Sequence, residues 1–187
     1  MIEIVSADPA WPSEFQTIGR RLRTALGDVA LRIDHIGSTA VAGLAAKDII
    51  DVQVTVASLE NLAPVLAAAG FAVREGLLYD HQPSDQTLPA LELEKLLVKP
   101  IAGRRANIHV RVAGRFNQRY PLLCRDYLRS HPDAGSAYAA IKRQLARYFP
   151  NDVEAYYDIK DPVFDLMMVG AADWAQQINW TPGASDC

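Results

Sequence analysis

The chain has 187 residues, half of them hydrophobic, and a formal net charge of -3, which fits a single domain large enough to bury a core. No segment reaches the ~20 apolar residues of a membrane span, and the first residues lack the layout of a signal peptide, so we expect a cytoplasmic protein with no membrane partner. The acidic balance argues against a general nucleic-acid binder and predicts no duplex nucleic-acid partner, while the oligomeric state is left open.

Hydrophobic periodicity and turn residues predict alternating helices and strands in the first part of the chain. The predicted elements are a helix over 12–26, strands over 29–36 and 49–56, a helix from Ser58 to Gly70, and two strands over 90–99 and 106–112. The residues between Glu75 and Pro89 are rich in turn formers. A loop of that length between elements is a candidate lid.

From Asn117 onward the pattern becomes helical. Helices are predicted to begin at Asn117, near Asp133, at Asn151 and at Asp161-Pro162, where an N-cap precedes a first-turn proline. We expect the segment 179–187 to fray because it contains Pro182-Gly183. The sequence therefore predicts one domain over 1–187, of the α/β (α+β) class, with a core over 1–115, a mixed sheet flanked by helices, and a C-terminal helical subdomain over 116–187.

The residues 35–54 place a glycine turn, hydroxyl groups, a lysine and two carboxylates between apolar runs. Side chains alternate between the two faces of a strand, so Ile50 and Val52 should face the core while Asp51 and Gln53 share the other face. Gly37, Ser38 and Thr39 lie at the end of the preceding strand. A glycine turn that leads into a helix suits the binding of an anion; the alternative is an ordinary N-cap.

Asp51 is the candidate catalytic residue because a carboxylate on a rigid strand can hold Mg²⁺ or Mn²⁺ beside a phosphate group. Its neighbour on the same face is Gln53, whose neutral oxygen binds such a cation more weakly. The strand over 106–112 presents no further carboxylate on its matching face. An alternative metal set joins Asp51 to His35 and His109 as two histidines and one carboxylate, while both histidines also suit purely structural roles.

Two nested resemblances rest on these residues. Ile36-Gly37-Ser38, followed by Asp51-Val52-Gln53-Val54, is similar to the signature of the nucleotidyltransferase superfamily, except at Gln53. Across most of the chain, the sequence resembles the GrpB family, small bacterial proteins that are sometimes fused to dephospho-CoA kinase. The matching motifs are Trp11-Pro12 with Phe15, His35 to Val41, Gly43 to Lys47, Ile50-Asp51, Ile108 to Val110, Arg125 to Arg129 with His131-Pro132, Tyr138 with Lys142, and Tyr156 with Lys160.

The resemblance implies a nucleotidyltransferase-like fold that binds a nucleotide or other phosphorylated small molecule. It adds Lys47, Lys142 and Lys160 as candidate phosphate contacts, against an alternative in which they are surface charges. The chain departs from the family pattern in having Asp48 in place of a proline, which adds a carboxylate near Asp51 and a further candidate metal ligand. Two functions follow, metal-dependent nucleotidyl transfer and a non-catalytic binding or accessory module linked to coenzyme A metabolism; Gln53 favours the second.

The residues 99–129 contain many basic side chains and one acid, Asp126. A local excess of positive charge attracts phosphate anions even on an acidic protein. The alternative is a set of solvated arginines on loops and helices. The eight basic residues are Lys99, Arg104, Arg105, Arg111, Arg115, Arg119, Arg125 and Arg129.

Overall fold

The computed structural model describes residues 1–76, 78–83 and 86–187. Within these ranges the chain forms one mixed sheet with the strand order β1-β2-β5-β4-β3. The pair β2 and β5 is parallel, and the other neighbouring pairs are antiparallel. The strands are β1 (Arg32–Ile36), β2 (Ile50–Val56), β3 (Phe71–Val73), β4 (Lys95–Pro100) and β5 (Ala106–Val112).

Helices cover both faces of this sheet, which confirms the predicted α/β class. They are α1 (Trp11–Leu26), α2 (Leu62–Ala68), α3 (Phe116–Ser130), α4 (Pro132–Tyr148) and α5 (Val153–Gln177). The separate helix predicted to begin at Asp161 is wrong, because α5 continues through Pro162. An internal proline removes one backbone hydrogen bond, but packing of the helix against its neighbours supplies most helix stability in a folded protein. In the described ranges, no helix combines the length and apolar character needed to cross a membrane.

The alternation along β2 divides the sheet into an apolar face and a polar face. Ile50, Val52, Val54 and Val56 are fully buried and pack in one core with the apolar side of α1. Each such side chain contributes roughly 1.5–3 kcal/mol when it leaves water. Asp51 and Gln53 therefore project from the opposite face, as predicted, toward the C-terminal helices.

A second core joins the C-terminal helices to the connection between β1 and β2. It contains Leu44 and Ala45 from that connection, together with Leu123, Tyr138 and Ala171 from α3, α4 and α5. The helix expected after the glycine turn is a single 3₁₀ turn at Ser38–Ala40. The connection between β1 and β2 is thus held between the sheet and the C-terminal helices. The polar face of β2 lines the space between the sheet and these helices.

The C-terminal segment does not fray, contrary to the prediction. The backbone N–H groups of Ile33 and His35 donate to Ser185 Oγ and Asp186 Oδ2, each at 2.9 Å, and Cys187 N donates to Ile33 O at 3.1 Å. An edge strand presents unpaired backbone N–H and C=O groups. The segment supplies partners for these groups on β1, which is why it lies ordered along the sheet edge.

Candidate ligand-binding site

A cavity of about 320 Å³ lies between the polar face of the sheet and the C-terminal helices. Most of the predicted site residues meet there although they come from distant parts of the sequence. Those that line the cavity are Gly37, Ser38, Thr39, Lys47, Asp51, His109, Lys142 and Lys160. His35, Asp48 and Gln53 are not among its described lining residues.

The turn at Gly37 and the Asp51 carboxyl group fit closely together. Gly37 has a φ of 69°, and a Cβ atom at this position would lie 2.6 Å from Asp51 Oδ2. Only glycine tolerates both the positive φ and this approach. Asn107 Nδ2 donates to Asp51 Oδ1 at 2.9 Å. Burial raises the pKa of Asp51, and the Asn107 hydrogen bond and the Lys47 charge oppose that rise.

Lys142 connects α4 to the turn. Its ammonium group donates to Ser38 Oγ at 2.8 Å and to Ala45 O at 2.7 Å, and it lies 4.6 Å from the centroid of the Tyr138 ring. The residue is 3% exposed. Burial, with a further contribution from the Lys160 charge, lowers the pKa of Lys142 to about 7. A change in a nearby negative charge would therefore change the protonation of Lys142 at physiological pH.

Lys47 and Lys160 complete what we call the cationic end of the cavity (Lys47, Lys142 and Lys160). Lys47 Nζ donates to the Tyr157 hydroxyl at 2.7 Å and lies 4.6 Å from the centroid of the same ring. Lys160 Nζ pairs with Asp161 Oδ1 at 3.0 Å and also faces the Tyr157 ring, at 5.3 Å. Three ammonium groups from separate elements therefore line one end of the cavity.

The predicted set of two histidines and one carboxylate does not form. His35 pairs with Val52 in the sheet register, so its side chain lies on the apolar face and not on that of Asp51. There it stacks on Phe15, at 4.7 Å between ring centroids, and its Nε2 is 3.0 Å from Thr39 Oγ1. Burial lowers the pKa of His35 to about 4. His35 thus contacts the Thr39 hydroxyl from the apolar face of the sheet and stabilises the turn.

Asp48, another predicted metal ligand, also lies away from the cavity. Its carboxylate accepts a hydrogen bond from Trp11 Nε1 at 2.9 Å and forms an ion pair with Arg104. The Arg104 hydrogen bond is the main cause that lowers the pKa of Asp48. The side chain is 51% exposed, so the carboxylate acts as a surface partner of Arg104.

Gln53 is fully buried and belongs to a hydrogen-bond network that the sequence did not reveal. Its Oε1 accepts from Arg111 Nη1 at 2.7 Å, and its Nε2 donates to Gln118 O at 2.8 Å. Arg111 also makes two hydrogen bonds of 2.8 Å to Asp80. Both polar atoms of Gln53 are therefore committed to protein partners, and its oxygen is not presented to a cation.

Asp80 is the acidic centre of this network. Besides Arg111, its carboxylate accepts hydrogen bonds from Lys95 Nζ at 2.5 Å and from Asn117 Nδ2 at 3.0 Å. Burial alone would raise the pKa of Asp80, but the Arg111 and Lys95 charges outweigh it and hold the pKa well below its usual value. His109 lies beside the network, 3.3 Å from Arg111 Nη2, and burial lowers its pKa well below the usual value.

The donor set does not fit a two-metal centre. The described residues contain no group of three histidine, cysteine, aspartate or glutamate side chains placed to hold a metal ion. Asp51 is the carboxylate at the turn, and Asp80 is already paired with two cations. A single Mg²⁺ takes one or two protein carboxylates and completes its shell with water and substrate phosphates. Asp51 fits that arrangement, in which the cation would supply charge neutralisation to a bound phosphate.

Two further predictions can be compared with the structure. Several arginines of the 99–129 stretch are paired with carboxylates, which argues against a free basic surface. The pairs include Arg104 with Glu14, Arg111 with Asp80, Arg115 with Glu94, and Arg125 with Asp186. In the predicted lid, Asp80 and His81 line the cavity, and His81 Nε2 lies 3.0 Å from Asp165 Oδ2. Residues 77, 84 and 85 of that loop lie outside the described residues, and lid movement stays a prediction.

The family model of the GrpB protein matches residues 1–169. The chain belongs to the GrpB family. A crystal structure of the conserved protein GrpB from Enterococcus faecalis covers 96% of this chain and 100% of its own, with a TM-score of 0.70 and 24% identity, which supports the shared fold. Cid1, solved in complex with the UTP analogue UMPNPP, matches 82% of this chain at a TM-score of 0.49. That looser likeness decides nothing about function.

Curated relatives in this family differ in length. The chain is 38% identical to a dephospho-CoA kinase from Mycolicibacterium paratuberculosis over 97% of its own length and 48% of the relative. It is 39% identical to UPF0157 protein PA4798 from Pseudomonas aeruginosa, over 87% of this chain and 64% of the relative. The chain thus spans about half the length of the kinases it matches, and the name of those longer proteins does not transfer to it.

Proposed function

We propose that this GrpB-family protein binds a nucleotide or another phosphorylated small molecule in the cavity between β2 and the C-terminal helices. The observation that supports this most strongly is the cationic end, where three lysines line the same cavity as the Gly37-Ser38 turn in a chain with a net charge of -3. Positive charge gathered in a cleft with low-dielectric walls concentrates anions there. Ser38 Oγ and the lysine ammonium groups would hold the phosphate.

The proposal also gives the Asp51 carboxylate a role in binding a divalent cation together with the ligand. Phosphate oxygens would be repelled by this carboxylate unless it is protonated or shares a cation with them. Its place beside the turn favours a single Mg²⁺ or Mn²⁺ that enters with the ligand. We therefore expect binding that is strengthened by a divalent cation.

Two functions use such a site, nucleotidyl transfer centred on Asp51 and non-catalytic binding. The commitment of Gln53 to Arg111 and Gln118 favours the second, because two-metal transfer needs a pair of carboxylates that clamps both ions. The match of nearly the whole chain to a segment of dephospho-CoA kinases supports an accessory role in coenzyme A metabolism as the form of that second function.

The proposal is tested by calorimetry with ATP, GTP, UTP, CTP and dephospho-CoA, each with and without Mg²⁺. We expect at least one of them to bind, and Lys142→Met to weaken its binding by about tenfold or more, since a charge-assisted hydrogen bond contributes roughly 1.5–3 kcal/mol. Arg143→Met is the matched control, because it removes an exposed cation from the next position of α4. Asp51→Asn should abolish the effect of Mg²⁺. No binding by any of these compounds would refute the proposal.

The lowered pKa of Lys142 predicts that ligand affinity and folding stability depend on pH in opposite directions. Bound phosphate favours the ammonium form, so ligand affinity should fall as the pH rises above about 7. Without ligand, the unfolded chain holds this proton up to the ordinary lysine pKa of about 10.4, whereas the folded chain releases it near 7. Stability contributed by this group must therefore rise between these two values. Calorimetry and urea titrations at pH 6.5, 7.5 and 8.5 should show both trends, and Lys142→Met should flatten them.

A further inference from the structure

Three buried side-chain atoms have no hydrogen-bond partner among the described residues: Thr55 Oγ1, Asn117 Oδ1 and the Tyr156 hydroxyl. Buried polar groups in folded proteins are nearly always paired, and an unpaired one destabilises the fold. Asn117 and Tyr156 both line the cavity, whereas Thr55 does not. Two of the three therefore lie where a bound molecule could satisfy them.

Tyr156 lies next to the cationic end, against Lys47. The residue is 0% exposed, and Lys47 Nζ lies 5.0 Å from the centroid of its ring. Burial raises the pKa of Tyr156 to about 12, so the phenol keeps its proton near neutral pH. A protonated hydroxyl on a ring that contacts an ammonium group suits an anionic acceptor, and a phosphate oxygen is such an acceptor.

Asn117 is the second residue of α3, and its neighbours set the orientation of its side-chain amide. Nδ2 donates to Asp80 Oδ2 at 3.0 Å and to Glu94 O at 2.9 Å, so both amide hydrogens meet acceptors. A flipped amide would place its oxygen against these acceptors, which excludes that orientation. Oδ1 is thus left as a buried acceptor that needs an N–H or O–H donor from outside the protein.

Aromatic side chains surround the same region of the cavity. Phe116, Tyr120 and Phe164 all line it, and their rings follow one another with centroid distances of 5.0 and 5.4 Å. Aromatic side chains of this kind offer contact to a flat ring of the ligand. An acceptor next to aromatic rings suits a nucleobase, which combines a flat ring with N–H groups.

We propose that the Tyr156 hydroxyl donates to a ligand phosphate and that Asn117 Oδ1 accepts from a base N–H, so that the cavity selects nucleotides over bare polyphosphates. This inference rests on the proposed function, because it assumes that phosphate occupies the cationic end. It adds a specificity that the lysines alone do not provide. Inorganic tripolyphosphate would satisfy Tyr156 but leave Asn117 unpaired.

The protein side of the proposal is tested with Tyr156→Phe, which removes only the hydroxyl. In the ligand-free protein this change should raise the Tm by about 2–4 °C, because an unpaired buried group disappears. Affinity for tripolyphosphate and for nucleotides should fall about tenfold. Thr55→Val is the matched control: it also removes an unpaired buried hydroxyl and should raise the Tm, but it should leave both affinities unchanged. A lower Tm or unchanged affinity for Tyr156→Phe would overturn the role of Tyr156.

The ligand side is tested with UTP, ATP and inorganic tripolyphosphate. The nucleotide that binds more tightly is compared with its analogue methylated at the base nitrogen, N3-methyl-UTP or N6,N6-dimethyl-ATP. We expect the nucleotide to bind at least tenfold more tightly than tripolyphosphate and methylation to remove that advantage. Equal affinities for the nucleotide and for tripolyphosphate would overturn the role of Asn117 and leave the proposed phosphate site intact. Failure of these three compounds, and also of GTP, CTP and dephospho-CoA, to bind would instead reject the proposed function and this inference together.

Discussion

Asp51 and Gln53 lie two residues apart on β2 and project from the same face of the sheet, yet their surroundings differ completely. Asp51 lines the cavity beside Gly37, with one hydrogen bond to Asn107. Gln53 is fully buried, and both of its polar atoms are paired with Arg111 and Gln118. The polar face therefore has an open part around Asp51 and a saturated part around Gln53, Asp80 and Arg111.

The difference shows how a position in a binding motif can acquire a structural role. A second carboxylate at position 53 would lie beside Arg111, whose guanidinium already occupies that space. Arg111 in turn brings the Asp80 carboxylate into the network. The saturated part then holds α3 through Gln118 O and Asn117 Nδ2, while the open part, together with Asn117 Oδ1, keeps the groups that a ligand can contact.

Breaking the saturated part should have the largest effect. Arg111→Met leaves the buried Asp80 carboxylate without its two-hydrogen-bond partner and should cost about 3–5 kcal/mol of unfolding free energy. Urea denaturation measures this loss. Arg115→Met is the control, since Arg115 pairs with the more exposed Glu94 and should cost less than about 1 kcal/mol. Similar losses for the two variants would contradict the division of the face into saturated and open parts.

An intermediate loss of stability is expected when position 53 is given a carboxylate like that of Asp51. Gln53→Glu keeps an acceptor for Arg111 but loses the donor to Gln118 O and places a carboxylate against that carbonyl group. We expect a loss of about 1–3 kcal/mol in urea denaturation. Mg²⁺ affinity, measured by calorimetry, should not rise, because Arg111 neutralises the new charge. Tighter Mg²⁺ binding by the folded variant would show that position 53 still belongs to the open part.

The smallest effect is expected at Asp48, the carboxylate outside both parts. Asp48→Asn removes the charge of an exposed ion pair with Arg104, and such pairs contribute about 0–1 kcal/mol. Thermal unfolding should change little. Nucleotide and Mg²⁺ affinities should match those of the unchanged protein, and a loss of Mg²⁺ affinity in this variant would place Asp48 back in the site.

The strand alternation could be predicted because it depends on local sequence, and the motif spacing indicated that the Gly37 turn and Asp51 belong to one site. The close approach of Gly37 to Asp51 follows from the antiparallel register that pairs Ile36 with Asp51. The position of His35 could not, since it depends on the antiparallel register that pairs His35 with Val52. Asp80 lies in a segment whose composition indicates only a loop. Asn117 and Tyr156 reach the cavity through the docking of α3 and α5, which is a tertiary event without a local signal. Family motifs included Tyr156, but only its burial and missing partner indicate a role for its hydroxyl.

The C-terminal segment that lies along β1 also affects association between molecules of this protein. A sheet edge with free backbone groups is a template for strand addition and aggregation. Ser185, Asp186 and Cys187 occupy this template on β1. At the other edge, β3 spans only three residues, and very short edge strands are a common natural safeguard. Edge-to-edge association between molecules is therefore disfavoured at both sides of the sheet.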